Sequence, residues 1–398
     1  MLNIEILDHC TNDFRPITLT RPVASMLAGC FTFEDRVRLL FPDIDVRVRP
    51  CCNVANAYFA RNGAQSEPDA SDGATLYLAP NVVFNLEFAR FVRTAEGDAV
   101  FDVNGAVVGI LTDKPFDEGW FDNPPDWPRH QFDLIVIPAI WDLVNINGRI
   151  IEADFGEHFR RAVDGEVHAN AAVYGGNAVA VEHGAEVLAG AVLDASDGPI
   201  IVARGAKIRP GAMLEGPCYI GPETVIMSGW IRENCSFGPL CKIGGEVESS
   251  IFIGYSNKCH EGFVGHSYIG SWVNLGALTT TSDLKNNYGE IRVDLGCGAK
   301  STGRIKVGSF IGDHSKTGIG ALLNSGTVIG VAVNHYGAGL PPKNIKSFSW
   351  GTAEGYVEHD FDRAVDTART VTSRRGFELL PEEFALLKLI HDENWKEK

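Results

Sequence analysis

The stretch NKCHEGFVGHSYIGSWVNLGA, Asn257–Ala277, sets Lys258, His260 and His266 inside an otherwise apolar rhythm. A neutral imidazole takes up a proton near neutral pH and also binds zinc, so these histidines are the first residues in the chain whose type and spacing suggest chemistry. His260 and His266 stand six positions apart, an interval that adjacent faces of a coil would bring together. A third histidine at a matching interval is missing, and the nine cysteines include no C-x-x-C or other zinc spacing. No metal is expected. Proton transfer by one of these histidines is then the chemistry to test, against the ordinary role of a surface or hydrogen-bonded histidine.

The element that positions these residues is a repeat. From Val202 an aliphatic side chain recurs at every sixth position, through Ile208, Leu214, Ile220 and Ile226. After a one-residue slip the beat resumes at Ile231, Phe237 and Ile243, returns at Ile269 and Leu275, and continues at Ile311, Thr317, Leu323 and Ile329. Val181, Val187 and Leu193 keep the same step upstream. A period of six fits neither a helix nor strand alternation, but it suits a coil whose short flat sides each place one side chain inward. Three sides make a turn of a triangular prism, the left-handed parallel β-helix. The small residues after many beats, as in IGPETV, FGPLCK, IGSWVN and IGDHSK, are expected to permit the corners. Two stretches, Gly254–Gly265 and Thr279–Arg304, break the rhythm and are expected to be loops that carry function.

The flanks differ. Residues 1–155 mix short aliphatic runs with helical stretches and predict an α/β domain. Its strands are NIEILD, ATLYLAP, DLIVIP and an AVFDVNGAVVGILT hairpin turning at Asn104-Gly105; its helices are TFEDRVRLLF, capped by Thr32, and AIWDLVNINGRIIEADF, which leads toward the coil. RPITLTRP, Arg15–Pro22, is expected as a loop. The β-helix is placed at 165–338 and a helical extension at 345–398, with DFDRAVDTARTVTSRRG ended by Gly376 and PEEFALLKLIHDENW started by Pro381. The helices are expected to pack on the coil or on a neighbouring subunit.

The formal charge of −16 opposes general affinity for nucleic acid or anionic lipid. No apolar run reaches the roughly 18 residues that span a bilayer. The cysteines, an odd and scattered set, read as reduced thiols. A cytoplasmic protein is expected, its partners small molecules or copies of itself.

With RPITLTRPVA, the WDLV helix, GHSYIGSWVNLGA, SDLKNNYG and the FSWG entry to the last helices on the page, the chain resembles the bifunctional N-acetylglucosamine-1-phosphate uridyltransferase/glucosamine-1-phosphate acetyltransferase family, and within it the variant branch of sugar nucleotidyltransferases. The resemblance implies a homotrimer with active sites between neighbouring prisms, acetyl-CoA as acyl donor, and a hexosamine phosphate as acceptor. It assigns His266, in GHSYIG, the place of the general base. It gives Arg232 a sugar-phosphate role, Tyr268 and Asn274 sugar contacts, Ala277 a backbone contact to the acyl-CoA, and Lys285 the part of a loop lysine. Ser249-Ser250 stand where the family has a phosphate-binding lysine, so Lys258 is expected to reach in from the first break. The histidine-to-tyrosine spacing is one residue short, and Leu278 replaces a common glycine.

In front, the resemblance implies sugar-1-phosphate nucleotidyl transfer from an NTP with Mg2+. The family's glycine-rich phosphate loop is replaced by DHCTNDFRPITLTRP, without glycine. Arg15 and Arg21 are the candidate phosphate charges there, and Asp8 the candidate cation ligand; Asn81 stands where a magnesium-binding Asp is usual. Two alternatives stay open. One is a zinc hydratase built on His260 and His266; the other is a non-catalytic sugar-nucleotide sensor or scaffold with a decayed nucleotidyltransferase domain.

Overall fold

The computed structural model describes residues 2–8, 12–63, 73–159 and 162–395; part of the glycine-free loop, His9 to Thr11, lies outside them. The chain forms two compact units. The first comprises Met1–Thr11, Arg21–Met26 and Phe31–Pro138, the second Asn12–Thr20, Leu27–Cys30 and Ala139–Lys398. Among the described residues no helix is long and apolar enough to cross a membrane.

In the first unit NIEILD forms the strand Asn3–Leu7, parallel to Val46–Arg49 on one side and to Thr75–Leu78 on the other. Ala106–Thr112 and Ala99–Val103 extend the sheet as the expected hairpin. Its turn residues Asn104 and Gly105 hold φ of 51° and 88°, the left-handed pair that a right-twisted hairpin needs. Helix α1, Phe33–Leu40, begins at Thr32, whose hydroxyl accepts the Asp35 amide at 3.0 Å. Helices α2, Cys52–Asn62, and α3, Leu86–Val92, were not anticipated. Alternation of polar and apolar residues in CNVANAYFARN hides the helical stripe, and α3 is only two turns long. One sheet face buries Ile4, Ile6, Leu76 and Leu78 against Phe88. The opposite face buries Tyr77 under Phe116, their rings stacked at 4.3 Å. Cys51 is disulfide-bonded, against the expectation of thiols throughout.

The second unit contains the three-sided β-helix that the six-residue beat implies. Strands of successive turns stack in parallel register: on the first side Lys207–Ile208, Val225–Ile226, Lys242–Ile243, Asn257–Lys258 and Asn274–Leu275; on the third a nine-stranded sheet. The beat residues are the core, Ile208, Ile226, Ile243 and Leu323 among them, each less than 2% exposed. Burying each such side chain is worth about 1.5–3 kcal/mol.

Two details depart from expectation. The glycine after each beat is not the residue that turns the corner. Positive φ falls two positions later, on Glu223 (56°), Leu240 (57°), Trp272 (62°) and His314 (61°). The glycines serve close stacking instead: a Cβ on Gly221 would lie 2.5 Å from the Phe237 carbonyl oxygen of the next turn, and one on Gly238 would overlap that of Ile253. Secondly, Gly254–Gly265 is not an expelled loop. Val247, Phe252 and Val264 are all fully buried, and the beat runs through the segment with Lys258 in an aliphatic slot, stacked in register on Ile243. The rhythm looked broken only because one inward residue is polar. Thr279–Arg304 does leave the coil, after Thr281, and contains the hairpin Arg292–Asp294/Ala299–Ser301.

Helix α4, Ile140–His158, covers the third side. Its Asn147 donates to Ser236 Oγ at 2.8 Å and accepts the Gly29 amide at 2.9 Å, while Asp154 accepts the Cys30 amide at 2.8 Å. Helices α5, Phe361–Ser373, and α6, Pro381–Trp395, form as expected; Phe361 packs on Phe348 near the far end, while Arg375 reaches the middle of the first side and donates to Asn257 Oδ1 at 2.7 Å.

Candidate active site

His266 sits at the corner between the second and third sides, directly after the strand Phe263–Gly265, with φ of 45°. The preceding turns place Asn234 (63°) and Ser249 (43°) in the same left-handed conformation, so the backbone there is a repeated corner that aims the imidazole outward. The chain leaves the coil one turn further on, and Asp283 stands at the exit. Its Oδ2 lies 2.7 Å from His266 Nδ1. Asp283 is buried, which opposes its charge, but the hydrogen bond and charge of His266, with Lys306 adding to them, hold its carboxyl below the ordinary value. A carboxylate accepting the Nδ1 proton fixes the tautomer that leaves Nε2 with a lone pair. Gly265 makes the approach of Asp283 feasible: a Cβ there would lie 2.5 Å from Asp283 Oδ2.

Around this pair the corners of neighbouring turns stack charged side chains. Glu248 aligns with Gly265 in strand register, and ligand-type atoms of Glu248, His266 and Asp283 all lie within 4.8 Å of one another. The two Glu248 oxygens are engaged, by Arg232 at 2.6 Å and by Lys306 at 2.9 Å. A metal ion on these three residues would have to displace both cations, and the arrangement fits general-base chemistry better than metal chemistry. Asp283, Glu248 and Lys306 were not among the anticipated site residues. Asp283 lies in the SDLKNN segment and Glu248 in GEVESS, but only the stacking of turns shows that both meet His266.

The other anticipated residues are dispersed. Arg232 reaches the cluster through Glu248. Lys258 does not: its side chain points into the coil, 1% exposed, and its amine donates to the carbonyls of Gly244 and His260, both at 2.9 Å, at the opposite end of the second side. Burial pushes its pKa down to about 8. Tyr268 is fully buried, its hydroxyl donating to the Leu27 carbonyl at 3.0 Å beneath the Leu27–Cys30 segment. Lys285 is in the expelled segment, its amine on the Glu290 carbonyl. Asn274 and Ala277 line a separate cleft of about 700 Å³ along the first side, together with His260, Trp272, Lys242 and Arg374. Tyr255 stacks on Trp272 there at 4.5 Å.

In the first unit the Asp8 carboxylate accepts the amides of Val23 at 2.8 Å and Cys51 at 3.3 Å. Burial raises its pKa to about 6 despite these bonds. Asn81 donates to the Ile137 carbonyl at 2.7 Å. Among the described residues the cluster of three ligand-type side chains that could hold a metal, Glu248, His266 and Asp283, is in the coil. Arg21 belongs to the first unit, whereas Arg15 belongs to the second, near Gly296 of the expelled hairpin.

Residues 7–160 match the family described as Sugar nucleotidyl transferase. A bifunctional sugar-1-phosphate nucleotidylyltransferase/acetyltransferase of Sulfurisphaera tokodaii is 32% identical over 153 residues, covering 35% of this chain and 35% of the relative. The bifunctional protein GlmU of Methanococcus vannielii is 34% identical over 116 residues, 29% of this chain and 26% of the relative. Among solved structures, a UDP-N-acetylglucosamine acyltransferase of Francisella novicida shares 13% identity at a TM-score of 0.32, over 57% of this chain and 78% of that one. The chain spans about a third of the length of these curated relatives or less. Residues 7–160 are thus similar to the sugar nucleotidyl transferase family, and about a third of the chain is similar to parts of bifunctional sugar-1-phosphate nucleotidyltransferase/acetyltransferase proteins.

Proposed function

We propose that the β-helix transfers an acyl group from an acyl-CoA thioester, acetyl-CoA in the first instance, to the amino group of a hexosamine derivative, with His266 as general base. The observation that carries this reading is the His266–Asp283 pair at 2.7 Å, which leaves Nε2 as the proton acceptor at an outward corner. The amine attacks the thioester carbonyl as Nε2 takes its proton. The tetrahedral intermediate then expels the thiolate, which recovers that proton, and the products are an amide and free CoA thiol. The cleft lined by Asn274 and Ala277 is the proposed donor site, where Lys242 and Arg374 offer charge to phosphates.

The domain at 7–160 is proposed to act on a sugar 1-phosphate and an NTP. Asp8, with both oxygens on backbone amides, favours a second reading in which this unit binds a sugar nucleotide without transferring it. A homotrimer is proposed for the whole. Trp230 and Leu322 on the second side, with Leu278 and Ile319 beside it, are 39–80% exposed and would be covered by another copy.

The test is release of CoA thiol from acetyl-CoA with a panel of amino sugars, and of pyrophosphate from each NTP with sugar 1-phosphates. His266→Ala should lower thiol release by about 10²–10⁴-fold. Unchanged thiol release in that variant would remove His266 as the base.

A further inference from the structure

The cluster at the His266 corner is unbalanced in charge. Arg232 has carboxylates at 2.6 Å (Glu248), 3.7 Å (Glu233) and 3.9 Å (Glu246), and Lys306 has Glu248 at 2.9 Å. With Asp283 beside His266, four carboxylates face two cations. An anion entering the corner would therefore meet two cations that are already paired with carboxylates. Arg232 and Lys306 are the cations that could clamp a phosphate, and Glu248 lies between them with each of its oxygens on one. Glu248 is also the most buried of the three, its side chain 6% exposed against 31% for Arg232 and 44% for Lys306. Swinging it out would leave Glu248 without both partners, Lys306 without this carboxylate and Arg232 with only the more distant Glu233 and Glu246, a change that a phosphate dianion must repay while approaching the remaining carboxylates.

Resting on the acyl-transfer reading above, we propose that Glu248 determines acceptor specificity: it fills the subsite between Arg232 and Lys306, so that the acceptor is an amino sugar free of phosphate at that position. The excess of carboxylate favours the ammonium form of such an acceptor on entry; it loses one proton to solvent before attack, and His266 lies within the same cluster to take the second as the amine attacks. Specificity here is set by a repulsive element already in place as much as by attraction.

The experiment compares kcat/KM for glucosamine and for glucosamine 1-phosphate with acetyl-CoA, by CoA thiol release, in the wild-type chain, Glu248→Gln and His266→Ala. The wild type should favour glucosamine by at least about tenfold, and Glu248→Gln should shift the ratio toward the phosphate ester by about tenfold or more. Wild-type inhibition by inorganic phosphate gives a measure that needs no variant, and it should be absent at millimolar phosphate. A wild type that prefers the phosphate ester, with turnover abolished by His266→Ala, overturns the role of Glu248 and leaves the base in place. Turnover of neither acceptor, or turnover indifferent to His266→Ala, overturns the acyl-transfer reading and this inference with it.

Discussion

His266 Nδ1 and Asp283 Oδ2 lie 2.7 Å apart across one turn of the coil, seventeen residues apart in sequence. The turn length equals that separation, so the histidine and its carboxylate are stacked by the same repeat that stacks the aliphatic core. Asp283→Asn keeps the shape and removes the charge that selects the Nδ1–H tautomer. We expect acyl transfer to fall by roughly 10²-fold with little change in KM for acetyl-CoA, measured by steady-state thiol release. A fall in kcat/KM confined to KM would assign Asp283 to binding instead.

Gly265 tests the same pair from the backbone. A Cβ at this position would sit 2.5 Å from Asp283 Oδ2 and overlap the Phe263 ring. Both neighbours are side-chain atoms that can move, so Gly265→Ala should fold, with a melting temperature only a few degrees lower, while Asp283 is pushed off the imidazole. Acyl transfer should drop by about tenfold or more, since small displacements of a positioning group are costly to a proton-transfer step. Wild-type activity in this variant would show that the Asp283 contact is dispensable.

How much of this was legible beforehand follows from which interactions repeat. A six-residue beat is a local pattern, and it located the prism, its sides and the departure at Thr279–Arg304 without any coordinates. His266 was singled out by the resemblance that GHSYIG carries, and the structure puts it at a corner beside Asp283. Lys258 was misplaced because hydrophobicity was the only sign used for an inward position, and a lysine whose amine meets two carbonyls satisfies that position equally well. Tyr268 resembled a ligand contact, yet its partner is the backbone of Leu27, 241 residues away, which no local pattern can show. Glu248 and Lys306 were passed over for the same reason: each is an ordinary surface charge in sequence, and only the stacking of turns brings them to one corner.

Asp8 gives a pH prediction for the first unit. Its folded pKa of about 6 exceeds the ordinary 3.8, so the folded state binds more protons between those values. This group's contribution therefore stabilises at low pH and is lost as pH rises from about 4 through 6, by on the order of 3 kcal/mol. Asp8→Asn retains an amide-accepting oxygen and removes the titration. Relative to wild type, the variant should become progressively more stable in urea as pH is raised from 4 to 7. A difference that does not depend on pH would show that the carboxylate is not held in this environment.

Lys258 gives the opposite sign in the coil. Burial lowers its pKa from 10.5 to about 8, so the folded state binds fewer protons than the unfolded chain between those values. At pH 7 the ammonium is carried in the folded state at a cost on the order of 3 kcal/mol, and stability from this group returns as pH rises from 8 toward 10.5. Lys258→Met fills the same aliphatic slot above Ile243 but leaves the Gly244 and His260 carbonyls without their donor. Losing those two bonds costs about 1–3 kcal/mol and removing the buried charge offsets it, so the variant should match or exceed wild type at pH 7 and fall behind by pH 10. Thiol release should stay within about threefold of wild type, because the amine lies at the far end of the second side from His266 and its hydrogen bonds go to the Gly244 and His260 carbonyls. Loss of acceptor binding in a folded Lys258→Met chain would instead restore Lys258 as a substrate contact and require the corner at His260 to open toward His266.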